Sequence, residues 1–220
     1  MDVQEQLEKI RKALPDGVTL VAISKYHPKE MIEEAYVAGQ RRFGENHVME
    51  MADKAAALPK DIEWHFTGHV QTNKIKYMAS FVHTIQSVDS YRVLEQISNA
   101  ALRHQRIINC LLQLHVAQEE TKYGLSPAEC LDLLENAPWR ALPGIRITGL
   151  MAMATNTDNE RQIRDEFRTV RMFFQQVKER FFADDPAFTI LSEGMTNDYP
   201  LAIAEGANMV RIGSAIFGAR

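Results

Sequence analysis

The chain has 220 residues, 45% of them apolar and 25% charged, with a formal net charge of −4. That length buries one substantial core and that balance excludes an intrinsically disordered chain. An acidic balance without a run of basic residues lacks the electrostatic footprint of a nucleic-acid binder, so no nucleic-acid partner is expected. No segment approaches the roughly 18 to 20 apolar residues that span a bilayer, so no membrane partner is expected either. The N-terminal MDVQEQLEKIRKAL sets apolar residues at helical spacing among charges and lacks the apolar core of a signal peptide. Cys110 sits in an apolar strand-like run and Cys130 in a helical pattern, with no CxxC spacing, which suits a reducing, cytoplasmic setting. His65 and His69 are separated by FTG, which breaks any helix that would pair them, so no metal site is predicted.

After the N-terminal helix, VTLVAIS reads as a strand buried on both faces, followed directly by Lys25. Pro28 opens the helix KEMIEEAYVAG and Gly39 closes it. The unit recurs: RRFGEN with helix HVMEMADKAAAL, IEWHFTG with helix VQTNKIKYMA, and VHTIQSV with helix SYRVLEQISNAALR. Lys74 and Lys76 read as a solvated face of the third of these helices. Then come IINCLLQLHV with helix SPAECLDLLENA, RITGLMAMA with a long helix from about Asp158 to Phe182, FTILSEG with helix DYPLAIAEG, and a last strand MVRIGSAIFG. Strict alternation of eight strands with helices predicts an α/β protein, a single (β/α)8 TIM-type barrel with an extra N-terminal helix. No GxGxxG follows a strand and no linker divides the chain, so one domain over residues 1–220 is expected.

In such a barrel the chemistry lies where strands end. Lys25 is at such a tip, and an amine at the rim of an apolar mouth is partly desolvated, which frees its lone pair to attack an aldehyde. Alone, a lysine after a strand also describes an ordinary surface residue. At the other end of the chain, LSEGMTND and RIGSAIFG are rich in glycine and hydroxyls. Gly194 and Gly213 permit close backbone approach, and Ser192, Thr196 and Ser214 offer hydroxyls beside helix-start amides, the makings of a phosphate cradle or, equally, of turns and caps. Barrel closure sets the eighth strand beside the first, so Lys25 and the cradle flank one opening that a phosphorylated aldehyde would bridge. Arg211, on the eighth strand, either faces the ring nitrogen of a pyridine or forms a structural salt bridge.

Beyond these features the sequence resembles the pyridoxal phosphate homeostasis protein family, whose members look like the barrel domain of alanine racemase standing alone. The matching stretches are VAISKYHP around Lys25, FGEN at Phe43 to Asn46, HFTGHVQTNK at His65 to Lys74, GLMAM at Gly149 to Met153, LSEGMTND and RIGSAIFG. The resemblance implies that pyridoxal 5′-phosphate (PLP) is the cofactor, held as a covalent aldimine on Lys25. It implies that Ser192, Thr196, Gly213 and Ser214 hold the phosphate with Gly194 in the same loop, that Arg211 faces the pyridine nitrogen, and that Asn46 and Met151 line the sides. Asn46 also suits a helix cap. His65 and the stretch Gly68 to Lys74 would form the rim.

Two positions depart from the family pattern. Where the seventh loop commonly reads SMGMS this chain has SEGMT, which sets Glu193 near the phosphate and weakens binding unless it points to solvent. Met49 stands where GENxxQE has glutamine. Racemases of the related fold need a second base from an additional β domain, and no residues remain here to build one. The resemblance therefore implies a role in PLP (vitamin B6) homeostasis, a carrier without robust catalysis, with no residue assigned as catalytic. PLP-dependent apoenzymes are the expected recipients and a monomer is the default state. A weak PLP-dependent amino-acid racemase, and a Schiff-base aldolase acting on a sugar phosphate, stand as alternatives.

Overall fold

The computed structural model describes residues 2–118 and 123–219. Eight parallel strands close into one barrel in chain order: β1 (Thr19–Ile23), β2 (Arg42–Glu45), β3 (Glu63–Phe66), β4 (Val82–Val88), β5 (Ile108–Leu114), β6 (Ile145–Ala152), β7 (Ile190–Ser192) and β8 (Met209–Ile212). The (β/α)8 expectation holds. Closure is made by β8 on β1, with Thr19 opposite Met209, Leu20 opposite Val210, Val21 opposite Arg211 and Ala22 opposite Ile212.

The surrounding helices are α1 (Val3–Ala13), α2 (Lys29–Val37), α3 (Val48–Ala57), α4 (Tyr91–Leu102), α5 (Pro127–Asn136), α6 (Glu160–Phe181), α7 (Tyr199–Ala204) and α8 (Ser214–Phe217). Their starts follow local chemistry. The Asp2 carboxylate accepts from the amides of Gln4 and Glu5 at the head of α1. Ser126 and Glu129 close a capping box around Pro127 at the head of α5. Asn159 caps the 22-residue α6, whose Ile163, Phe167, Val170, Phe174 and Val177 form a buried stripe at helical spacing. Gly39 ends the α2 segment with φ of +88°, the left-handed turn that favours glycine.

Three segments differ from expectation. VQTNKIKYMA forms a 3₁₀ helix, Thr72–Tyr77, instead of an α-helix. Its buried Ile75 and the buried Met78 that caps it are three apart, the spacing that a three-residue turn stacks, and Val70 is used in the preceding loop. FTILSEG contributes only three residues to β7, because the backbone leaves the sheet towards Gly194 at φ +88°. RIGSAIFG stops being a strand at Ile212 and turns into the four-residue α8, which buries Ile216 and Phe217. Both shortened strands leave their glycines, Gly194 and Gly213, outside the ladder with Ser214 beside the second, while Ser192 stays paired as the last residue of β7.

Gly149 lies opposite Ile190 across β6 and β7, and a Cβ there would come within 1.8 Å of the Ile190 carbonyl oxygen. Backbone leaves such an atom no room, so Gly149→Ala is expected to lower stability by roughly 2 kcal/mol or more. Urea unfolding of the two proteins, compared at their midpoints, checks this.

Candidate functional site

A cavity of about 700 Å³ opens at the carboxyl end of the barrel, walled by the loops that follow β1, β6, β7 and β8. Lys25, Thr196, Arg211, Gly213 and Ser214 all lie on its wall. Lys25 is two residues past the end of β1, on a turn that is held from below. The buried Lys54 ammonium of α3 donates to the Ser24 carbonyl at 2.8 Å, to Glu45 Oε1 at 2.8 Å and to Glu50 Oε1 at 2.7 Å. Ser24 Oγ donates to the same Glu45 oxygen at 2.6 Å. Tyr26 carries φ of +66°, a conformation a bulky residue adopts only at a cost. Its amide donates to Glu50 Oε1 at 2.6 Å and its hydroxyl shares a 2.7 Å hydrogen bond with His47 Nε2. The turn carrying Lys25 is thus fixed on both sides by charge-assisted bonds. Burial outweighs Lys54 and Ser24 at Glu45 and raises its pKa above the usual carboxylate value.

Arg211 points into the barrel. Its Nη1 donates to the Ser192 carbonyl at 2.8 Å and to Ser192 Oγ at 2.7 Å, and its Nη2 donates to the Ala152 carbonyl at 3.0 Å. Ser192 Oγ donates onward to Gln86 Oε1 at 2.6 Å, and Gln86 Nε2 lies 2.9 Å from His65 Nδ1. A polar column therefore runs from the cavity through the barrel axis. Burial pushes the Arg211 pKa down to about 10 while Asp198 and Glu193 act to raise it, so the guanidinium stays charged at neutral pH.

Opposite Lys25, the Thr196 hydroxyl accepts from Ser214 Oγ at 3.3 Å and from the Gly213 amide at 3.4 Å. A Cβ on Gly213 would stand 3.0 Å from the Ile23 carbonyl, so glycine lets this strand end approach β1 closely. The first-turn amides of α8 begin here, and such amides have no carbonyl acceptor within their own helix. An amine, a fixed guanidinium, two hydroxyls and a bare backbone face one cavity, which is the donor set a phosphorylated aldehyde needs.

Other expected residues are placed differently. Ser192 is fully buried and its hydroxyl is committed to Gln86 and Arg211, so it orients the arginine instead of facing the cavity. Gly194 is also off the wall; its carbonyl accepts from the Arg211 amide at 2.9 Å, and a Cβ would meet Tyr199 Cα and Ala202 Cβ at 2.8 Å. Met151 is buried on β6 opposite Ser192. The Asn46 Oδ1 accepts from Thr67 Oγ1 at 2.7 Å, and the cap of α3 is His47, so Asn46 does not cap that helix. His65 is not on the rim: it is 1% exposed inside the barrel and faces the opposite mouth. Sequence reasoning missed Thr155 to Asp158, which line the cavity after β6, although a polar TNTD directly after a strand was the available signal. It also missed Lys54 and Gln86, whose roles arise from partners distant in sequence.

The sequence matches the family described as alanine racemase, N-terminal domain, across residues 2–220. A pyridoxal phosphate homeostasis protein of Haemophilus influenzae is 37% identical over 233 aligned positions, covering 100% of this chain and 97% of that one. The chain belongs to the pyridoxal phosphate homeostasis protein family. The fold agrees with PipY of Synechococcus elongatus, 35% identical in sequence, over 98% of this chain and 100% of PipY. The TM-score is 0.91 against PipY without PLP and 0.88 against PipY with PLP bound.

Within this pyridoxal phosphate homeostasis family member, Glu193 neither points to solvent nor presents a charge to the cavity. It is fully buried behind β7 and neither carboxyl oxygen makes a hydrogen bond among the described residues. Burial pushes its pKa well above the ordinary range, against the pull of Arg211, so the neutral acid is favoured and the expected repulsion of a phosphate is relieved. A carboxyl whose pKa rises on folding binds its proton more tightly in the folded state. The folded protein therefore loses stability as pH climbs above the ordinary glutamate value of about 4.3. Glu193→Gln is expected to match the parent near pH 4.5 and to exceed it at pH 8, which urea midpoints at the two pH values check.

Proposed function

We propose that this chain binds PLP and takes part in PLP homeostasis, holding the cofactor reversibly as a Schiff base on Lys25 without robust catalysis. The observation that carries this is the convergence of Lys25, Arg211, Thr196, Gly213 and Ser214 on one cavity where β1 meets β8. PipY, of the same fold and family, is described with PLP bound. When bound, PLP supplies an aldehyde that condenses reversibly with an amine.

The chain's own residues govern how the cofactor is held. Lys25 presents the amine from a turn that Lys54 and Glu50 immobilise. Thr196 and Ser214 hydroxyls, with the amides at the start of α8, hold the phosphate, and no compensating basic side chain is needed in that loop. Arg211, charged and held by Ser192 and Ala152, faces the ring nitrogen and disfavours a proton there. A ring nitrogen kept unprotonated is a poor electron sink, which supports holding over turnover. Ser192 and Gly194 act through Arg211, and the family resemblance sets Asn46, just past β2, and Met151, on β6, beside the cofactor. Reversible attachment makes PLP-dependent apoenzymes the recipients, in a reducing cytoplasm where the buried Cys110 and Cys130 stay free thiols.

The purified protein incubated with PLP is expected to turn yellow, to lose that colour on borohydride reduction, and to carry the added mass on the peptide containing Lys25. Lys25→Ala should show no reducible band, and a colourless parent protein that takes up no PLP would exclude the proposal. Replacing both hydroxyls in Thr196→Ala/Ser214→Ala removes two hydrogen bonds to a charged group. PLP affinity is then expected to fall by about 100-fold, read by absorbance titration.

A further inference from the structure

At the amino end of the barrel, opposite the Lys25 mouth, a second cavity of about 340 Å³ is walled by the starts of strands, among them Thr19, Arg42, Glu63, His83 and Asn208. Three potential ligands converge there. A carboxylate oxygen of Glu63 and one ring nitrogen each of His65 and His83 lie within 4.8 Å of one another. The imidazoles come from adjacent strands, β3 and β4, with ring centroids 5.7 Å apart. His65 is 1% exposed, lines this cavity, and its Nε2 has no hydrogen-bond partner among the described residues. A buried imidazole nitrogen left without a partner in a native interior calls for an occupant.

We infer that Glu63, His65 and His83 form a binding site for a borderline divalent transition-metal ion of the zinc or cobalt kind. Two imidazoles and one carboxylate are a ligand set such ions take, with water in the remaining position. Ligands on a tetrahedral ion at about 2.1 Å sit about 3.4 Å apart, so atoms within 4.8 Å of one another must draw together by at most about 1.4 Å, through rotation of the half-buried Glu63 and His83 side chains. Arg42 Nε holds Glu63 Oε2 at 2.7 Å and leaves Oε1 to the metal. Outer contacts that orient the rings are present: His83 Nδ1 is 2.8 Å from Thr84 Oγ1, and His65 Nδ1 is 2.9 Å from the Gln86 amide. With the Gln86 nitrogen donating to Nδ1, the His65 proton sits on Nε2. Metal binding at Nε2 moves that proton to Nδ1; the Gln86 amide then turns so that its oxygen accepts from Nδ1–H and its nitrogen donates to Ser192 Oγ, reversing the bond now made there, with no net gain or loss of protons.

The test is titration of the chelator-treated full-length protein with cobalt(II) chloride, read by ligand-field absorption, with an anomalous difference map of a cobalt-soaked crystal. One equivalent is expected to bind, with a peak between Glu63, His65 and His83. Glu63→Gln and His83→Gln should each weaken binding at least about tenfold, while the exposed His104→Gln binds as the parent does. Melting curves identify a variant that fails to fold, and Glu63, half-buried at the mouth, provides the substitution least disruptive to the core. Absence of a ligand-field band in the parent, equal binding by both ligand variants, or anomalous peaks only at surface histidines would overturn the inference.

Discussion

The pairing of β8 with β1 is the constraint on which the rest of this molecule depends. Its register, from Thr19 opposite Met209 to Ala22 opposite Ile212, closes the ring and brings the last strand's loop beside the first strand's. Closure removes both sheet edges and gives every strand a neighbour on each side. It also does the functional work of placement: Lys25 at one end of the chain and Gly213 and Ser214 at the other become walls of one cavity. Gly213 permits this contact, since a side chain there would press on the Ile23 carbonyl.

Two buried cations tie the site to the barrel. Lys54 is shared by Glu45, Glu50 and the Ser24 carbonyl, and Arg211 by Ser192 and Ala152. Such groups are costly to bury and are retained where every donor finds an acceptor. Breaking one partner leaves the other charge unpaired, so each network specifies one geometry more than it adds stability. In this protein the geometry so specified is that of the Lys25 turn and of the arginine opposite it. The two networks differ in depth: Lys54 braces the rim from outside the barrel, and Arg211 continues through Ser192 and Gln86 along its axis to His65.

The polar axis explains why some site residues were legible from sequence and others were not. Lys25, Thr196, Gly213 and Ser214 line the cavity as their positions suggest, because residues just past a strand end face the mouth in a barrel of this kind. Ser192 is the last residue of β7 and looked the same by position, yet its side chain turns inward to serve Arg211. Glu193 next to it is buried and favoured as the neutral acid, where its letter suggests a surface charge. His65 sits in a motif whose other residues lead to the rim, and its own side chain faces the far mouth. One residue of register along a strand decides which face a side chain takes, and sequence periodicity in strands of four residues does not resolve it.

By itself the sequence determined the architecture, because alternation of short apolar runs with capped amphipathic helices leaves few arrangements other than a parallel barrel. It also determined the chemical inventory: one lysine at a strand end, two loops of glycine and hydroxyls, and an arginine between them. Only the tertiary structure decided which of those groups share a cavity, which are spent on supporting one another, and that Glu63, His65 and His83 gather at the opposite end. The physical reason is that strand and helix formation follow local patterns, whereas a side chain's direction, burial and hydrogen-bond partners are fixed by elements distant in the chain, joined when the ring closes.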